Sequence, residues 1–240
     1  VGSNGMNLLV PNGQFGTRLM GGKDAASPRY IFTHLHPVTE KVIRTEDDPL
    51  LAYLDDDGTK VEPSFFVPVL PMVLVNGADG IGTGYSTHVP CYNPVDVRAN
   101  VMRVMRHEPQ VPMVPWYRGF TGTIEANPND PTKFVTQGVW KWKDTSTLEI
   151  TELPIGKWTS DYKEYLESQI DNGVIKAVEN HSTDTTVRFL VKTNAKAQTP
   201  TTQEIDKLLK LTSSLSTGNM HLFDENQQMV HYKTAEDIID

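Results

Sequence analysis

The order of segments along the chain predicts an α+β fold, and three observations carry that expectation. Runs rich in β-branched and aromatic residues are mixed with stretches of helical period, without strict βαβ alternation. Glycine- and asparagine-rich turns punctuate the opening third, and two of the helical stretches have a clear cap or stop. A hydrophobic content of 38% beside 22% charged residues is the profile of a chain that buries a core.

Taken in order, residues 1–30 contain Asn12-Gly13, Gly16 and Gly21-Gly22 and show no sustained period, so turns dominate there. After Pro28, the run Ile31-Phe32-Thr33-His34-Leu35 has the composition of a short strand. Asp55-Asp56-Asp57-Gly58 marks a turn. Residues 65–75 form the most apolar stretch; Pro68 and Pro71 exclude a helix interior and divide it into short extended pieces. The run Gly77-Ala78-Asp79-Gly80-Ile81-Gly82-Thr83-Gly84 reads as a glycine-rich loop.

Asn93-Pro94 opens a helix, with Asn as cap and Pro in the first turn, that runs through Val101 to Arg106 and stops before Pro109. Several β-rich runs fill residues 121–151. A second helix spans Ser160 to Asp171, with Tyr162, Tyr165, Leu166 and Ile170 on its apolar face and Asn172-Gly173 as its stop. Thr185 to Lys192 alternates like a strand. Thr202 to Leu211 is a third helix with Ile205, Leu208 and Leu209 on one side, and residues 235–240 begin a last one.

The chain of 240 residues has room for two modest domains or one large one. No apolar run approaches the roughly 18 residues of a membrane span, so no membrane association is expected. The opening Val1-Gly2-Ser3-Asn4 has no initiator Met, basic region or apolar segment, and is expected to continue from a longer chain rather than to be a leader. Cys91 alone cannot form an internal disulfide, which suits a reducing compartment, cytosol or nucleus.

A net charge of -8 excludes a chain that coats nucleic acid over its whole surface. The distribution leaves room for a local contact: residues 1–36 carry Arg18, Lys23 and Arg29 against Asp24, before the chain turns acidic at Glu46-Asp47-Asp48 and Asp55-Asp56-Asp57.

Ser27-Pro28-Arg29-Tyr30 holds the residue types that phosphoryl transfer needs. The reaction requires an in-line nucleophile and cations on the developing negative oxygens; a phenol can be the first, and a guanidinium fits phosphate best. A free phenol, with a pKa near ~10, needs positive charge or a metal nearby to attack at neutral pH. On composition alone the same pair reads more simply as a surface Arg beside a Tyr packed at a strand start. The glycine run at 77–84 lacks the Lys of a P-loop and the acidic partner of a dinucleotide site, which leaves a tight turn as the simple reading. Ile81 at its tip is unusual, because exposed apolar tips can wedge between base steps and kink DNA. Asp55-Asp56-Asp57, followed by Gly58-Thr59-Lys60, reads as a solvated hairpin turn and not a metal site. His34 and His36 lack a third ligand at zinc-like spacing, and Trp140 and Trp142 fit an aromatic strand packed on a helix better than a base-stacking platform.

Read together, these segments have a family likeness. Residues 12–19 (Asn-Gly-Gln-Phe-Gly-Thr-Arg-Leu) and 21–33, which include Lys23, Arg29 and Tyr30, closely resemble the catalytic segment of eukaryotic-type DNA topoisomerase II, a type IIA DNA topoisomerase. Residues 71–84, from Pro71-Met72-Val73 to Gly80-Ile81-Gly82-Thr83-Gly84, resemble a second hallmark of that family. Shorter matches follow at Gly122-Thr123-Ile124, Glu149-Ile150-Thr151-Glu152-Leu153-Pro154, Thr183-Asp184-Thr185-Thr186-Val187 and Leu222-Phe223-Asp224. Tyr85 is a departure, since relatives commonly carry Trp there.

The resemblance implies that Tyr30 forms a 5′-phosphotyrosyl bond with DNA, that Arg29 steadies the scissile phosphate, that Arg18 and Lys23 contact neighbouring phosphates, and that Ile81 intercalates and bends the duplex. It implies the latter part of a winged-helix (CAP-like) domain over residues 1–90, then an α/β tower domain over residues 91–240, ending at the start of a coiled coil. It further implies an ATP-dependent homodimer acting on double-stranded DNA, in the nucleus or, for a viral protein, the cytoplasm. Mg²⁺ and ATP would be held by domains outside this chain, so the fragment alone is expected to bind neither and to be inactive. A DNA-binding and bending module without chemistry, or an acidic protein-interaction domain, are the competing readings.

Overall fold

The computed structural model describes residues 5–194 and 201–240; Val1–Asn4 lie outside them. Residues 5–38 are irregular apart from a 3-10 turn at Pro28–Tyr30 and a bridge between Leu9 and Leu35. There follow α1 (Thr39–Val42), a 3-10 segment at Thr45–Leu50, the hairpin β1 (Tyr53–Asp56) and β2 (Thr59–Pro63), α2 (Met72–Asn76), the hairpin β3 (Ala78–Gly82) and β4 (Tyr85–Val89), and α3 (Pro94–Met105). The second half contains β5 (Thr123–Ala126), β6 (Lys133–Gln137), β7 (Val139–Trp142), β8 (Thr147–Glu152), α4 (Thr159–Asp171), β9 (Ile175–Asn180) and β10 (Phe189–Thr193). It closes with α5 (Thr202–Leu208), β11 (Thr212–Ser216), β12 (Met220–Phe223), β13 (Met229–Tyr232) and α6 (Glu236–Ile239). The strands pair antiparallel, in sheets ordered β7-β8-β10-β9 and β11-β6-β5 and in three two-stranded ribbons. Helices and antiparallel sheets of this kind are the α+β class the sequence predicts.

The larger core forms where the alternation of β8 and β10 meets the helical period of α4. Leu148, Ile150, Phe189 and Val191 point to one face of the sheet, and Tyr162 and Leu166 of α4 cover them with Ile205, Leu209 and Leu211 from the α5 region. Each such side chain contributes roughly 1.5–3 kcal/mol by leaving water. Polar groups inside are matched: the Tyr162 hydroxyl donates to Leu209 O at 2.7 Å, and Asp206 accepts from Gln137 Nε2 and Trp140 Nε1, each at 2.6 Å. Trp140 is thus a structural residue whose indole N–H has its partner. A second core joins α2, β4 and α3 to the C-terminal elements, through Leu74, Val75, Val89, Tyr92, Val97, Met220 and Ala235.

Caps follow the chain's signals. Asn93 Oδ1 accepts the Val95 N–H at 3.0 Å and starts α3, and Thr201 with Glu204 forms a reciprocal capping box on α5. Gly173, at φ 71°, follows the end of α4. The Asp57-Gly58 turn has φ of 51° and 81°, and Asp55 Oδ1 accepts the Gly58 N–H at 2.9 Å.

Five expectations need correction. Ile31–Leu35 is not a strand: Val10 N–H bonds His34 O and His36 N–H bonds Leu8 O, but no second layer covers the segment, and Phe32 stays exposed. The second half of the 65–75 stretch is helical, because Pro71 stands at the start of α2 and not inside it, the one place where its missing N–H costs nothing. The glycine run at 77–84 is mostly strand; Ala78–Gly82 pairs residue for residue with Tyr85–Val89 around Thr83-Gly84. The strand expected from Thr185 begins at Phe189, after a loop in which the Thr183 and Thr186 hydroxyls share a 2.6 Å hydrogen bond. The helix expected to reach Leu211 ends at Leu208, and Leu208 is exposed while Ile205 and Leu209 are buried.

Candidate active site

Tyr30 ends the 3-10 turn that Pro28 initiates. Tyr30 N–H bonds Ser27 O at 2.9 Å and Ile31 N–H bonds Pro28 O at 3.1 Å, so the turn closes on two successive i→i+3 bonds. Its side chain stands out into solvent, with the residue 69% exposed, and its hydroxyl makes no hydrogen bond among the described residues. The Arg29 guanidinium carbon lies 4.9 Å from the Tyr30 ring centroid, a cation–π approach that holds a donor-rich group beside the phenol. A free hydroxyl, a fixed turn and an adjacent guanidinium can attack and stabilise an incoming phosphodiester.

The loop that precedes this turn is braced from within by Asp24. Its carboxylate accepts the Thr17 hydroxyl at 2.6 Å, the Thr17 N–H at 2.9 Å and Gln14 Nε2 at 3.3 Å, while Ala26 N–H bonds Gln14 O. The Thr17 hydroxyl, then its N–H, holds the Asp24 carboxyl below its ordinary range. Two glycines permit the tight path: a Cβ on Gly16 would sit 2.5 Å from Gly22 Cα, and one on Gly21 would collide with the Trp158 ring. Asp24 is therefore spent on the loop's own shape, and Lys23 is left exposed without an ion-pair partner among the described residues.

Ile81 stands on a separate element. It is 93% exposed near the tip of the β3–β4 hairpin. A Cβ on the flanking Gly80 or on Gly84 would meet nothing within 4 Å, so these glycines are not explained by crowding inside this chain. Their bareness leaves backbone open to close approach from outside. The hairpin's base is held firmly: His88 N–H bonds Asn219 O at 2.8 Å, Asn219 Nδ2 bonds Ser86 Oγ at 2.9 Å, and His221 N–H bonds Thr87 Oγ1 at 3.2 Å.

Of the residues singled out in the sequence, Arg29 and Tyr30 meet directly, Lys23 is exposed on the same loop, and Ile81 stands apart near the tip of the β3–β4 hairpin. Arg18 is turned to Glu152, with which it forms an ion pair. Glu152, Trp158 and Asp24 are structural supports of the site that motif reading missed. One signal for Glu152 was available: it continues the Leu148, Ile150 parity of β8, and a carboxylate on the buried parity of a strand needs a partner. Among the described residues no group of three or more His, Cys, Asp or Glu is arranged to hold a metal ion, and no helix is long and apolar enough to cross a membrane.

The chain is similar to known proteins along its whole length. Residues 2–240 match the family model for the A-subunit of DNA gyrase/topoisomerase IV. The chain is 47% identical over 246 residues to DNA topoisomerase 2 of Arabidopsis thaliana and 46% identical over 244 residues to that of Plasmodium falciparum. Each alignment covers 100% of this chain and 17% of the relative. The crystal structure of the Plasmodium falciparum topoisomerase II DNA-binding, cleavage and re-ligation domain superposes with a TM-score of 0.91 at 46% identity, covering 99% of this chain and 33% of that one.

Proposed function

The chain belongs to the DNA gyrase/topoisomerase IV family, and on that premise we propose that it is the DNA-gate portion of a type IIA DNA topoisomerase, with Tyr30 as the nucleophile. The observation that carries this reading is the free, exposed Tyr30 hydroxyl on a closed turn, with the Arg29 guanidinium against its ring. The phenol oxygen attacks the phosphorus of a backbone phosphodiester. An O–P bond to Tyr30 forms, the bond from phosphorus to the 3′ oxygen breaks, and the phenol proton leaves while the 3′ oxygen gains one. One phosphoester replaces another, so the reverse step reseals the strand without an outside energy source. Performed on each strand, it opens a double-stranded gate.

Arg29 supplies charge at the scissile phosphate and Lys23 at a neighbouring one; the phosphate contact expected of Arg18 is not proposed, because its guanidinium is engaged by Glu152. Ile81 is proposed to wedge between base steps. Unstacking costs a few kcal/mol, which the contacts of a bent duplex offset. The net charge of -8 fits a contact confined to this patch.

Mg²⁺ and ATP serve enzymes of this family, and two acids singled out in the sequence are engaged within the chain: Asp24 is hydrogen-bonded to Thr17 and Gln14, and Asp55 closes its own turn. Mg²⁺ and ATP are both assigned to other domains, and the full enzyme is proposed to act as a homodimer. Residues 1–90 are assigned to the winged-helix domain and 91–240 to the tower. Relatives from eukaryotes support a nuclear location, although one, from Dictyostelium discoideum, is named as mitochondrial.

In the full-length protein, Tyr30→Phe should abolish covalent capture of DNA and relaxation of supercoils while leaving duplex binding intact. Covalent adducts persisting in that variant would remove Tyr30 from the reaction. A non-catalytic bending module would instead show wild-type behaviour in both assays.

A further inference from the structure

Arg18 lies in the segment that would meet DNA, yet its Nη2 donates to Glu152, a residue 134 positions away whose side chain is 4% exposed. The carboxylate is saturated. Oε1 takes Arg18 Nη2 and the Leu153 N–H at 2.9 Å; Oε2 takes the Thr121 N–H at 3.1 Å and the Thr121 hydroxyl at 3.2 Å. Three further contacts dock the same loop on the same unit. Arg18 N–H bonds Asp184 O at 3.0 Å, Ser160 N–H bonds Leu19 O at 2.9 Å, and Gly21 lies against the Trp158 ring. A buried ion pair of this sort contributes little net stability, because desolvation offsets attraction, but its directionality fixes one arrangement of the groups it joins.

We propose that Glu152 is a positioning residue for DNA cleavage: it fixes Arg18, and through Arg18 registers the loop that ends in Tyr30 to the β8–α4 core. The proposal rests on the reading of Tyr30 as nucleophile. Its consequence is that the reach of the phenol toward phosphorus is set by a buried carboxylate on β8. A misplacement of about 1 Å suffices to slow such a step by roughly 100-fold.

The test uses the full-length enzyme with Glu152→Gln, Arg18→Gln, the double variant, and Glu152→Asp, which keeps the charge but shortens the reach. Covalent-complex formation is followed at saturating DNA, and duplex affinity is titrated against salt. Glu152→Gln and Arg18→Gln should each slow covalent-complex formation by about 10- to 100-fold with duplex affinity nearly unchanged. The double variant should be no slower than the worse single one, since both remove one interaction. Wild-type cleavage by Glu152→Gln, or losses that multiply in the double variant, overturn the proposal. So does a weakened duplex affinity for Arg18→Gln with a salt slope smaller by about 1, because Arg18 is then a phosphate contact. If Glu152→Gln does not fold, Glu152→Asp decides: slowed cleavage by a folded protein supports positioning, and wild-type cleavage refutes it. Tyr30→Phe runs alongside. An adduct in that control sinks the nucleophile assignment itself, whereas a silent control with an unaffected Glu152 variant sinks only the positioning role.

Discussion

Between residues 6 and 73, Val42 is the one buried apolar side chain, whereas between residues 147 and 211 the β8–β10 sheet, α4 and α5 close over a continuous core. The first region exposes Phe32, Leu50, Phe65 and Phe66; the second sets Phe189, Leu166 and Ile150 inside. The proposed chemistry lies in the first. A turn-rich segment can present a side chain and backbone to a large ligand, which a closed core cannot. It also has little packing of its own to hold a nucleophile still. The contacts of Arg18, Leu19 and Gly21 with the second region supply that rigidity from outside.

The contrast can be broken most forcefully from the core side. Phe189→Ala should cost about 3–5 kcal/mol, seen as a large fall in melting temperature, and should expose the 17–24 loop to protease at the same time. Phe32→Ala, at a residue 90% exposed, should change stability by less than about 0.5 kcal/mol. Equal effects at the two phenylalanines would erase the distinction between the regions.

The docking surface itself is addressed by Gly21→Ala. The residue sits at φ 60°, where a side chain is strained, and its Cβ would collide with Trp158. A loss of about 1–3 kcal/mol is expected, together with faster hydrogen exchange at Thr17 and Lys23, whose N–H groups bond within the loop. Unchanged exchange would mean that the loop keeps its shape without the core.

The smallest effect on the protein belongs to Ile81→Ala, which should alter its stability by less than about 0.5 kcal/mol because the side chain touches solvent. In the full-length enzyme it should nevertheless reduce the bend of bound DNA more than it reduces affinity. Equal bend angles by single-molecule fluorescence would remove Ile81 from the bending step.

The sequence made the local features legible and hid the long-range ones. Arg29 and Tyr30 stand next to each other in the chain, and Pro28 announces their turn, so spacing alone brought them together. Arg18 was legible as a cation but not as a partner of Glu152, since nothing local links positions so far apart. Period reading found α3 and α4 within a residue or so, α3 from its Asn93 cap and α4 from its apolar face and the stop at Asn172-Gly173. It failed where glycine or proline masked the element. β3 has too little side chain to show an alternation, and the prolines before α2 suggested extended chain when Pro71 in fact begins a helix. Charge counting gave Asp24 as a lone acid among cations, and could not show that Thr17 and Gln14 had already engaged it.

The central claim is most directly examined by locating the covalent bond. The full-length enzyme, trapped on an end-labelled duplex with Mg²⁺ and digested with protease, should yield one DNA-linked peptide, containing Tyr30 joined through its phenol oxygen to a 5′ phosphate. A link at any other residue, or to a 3′ phosphate, would contradict the account.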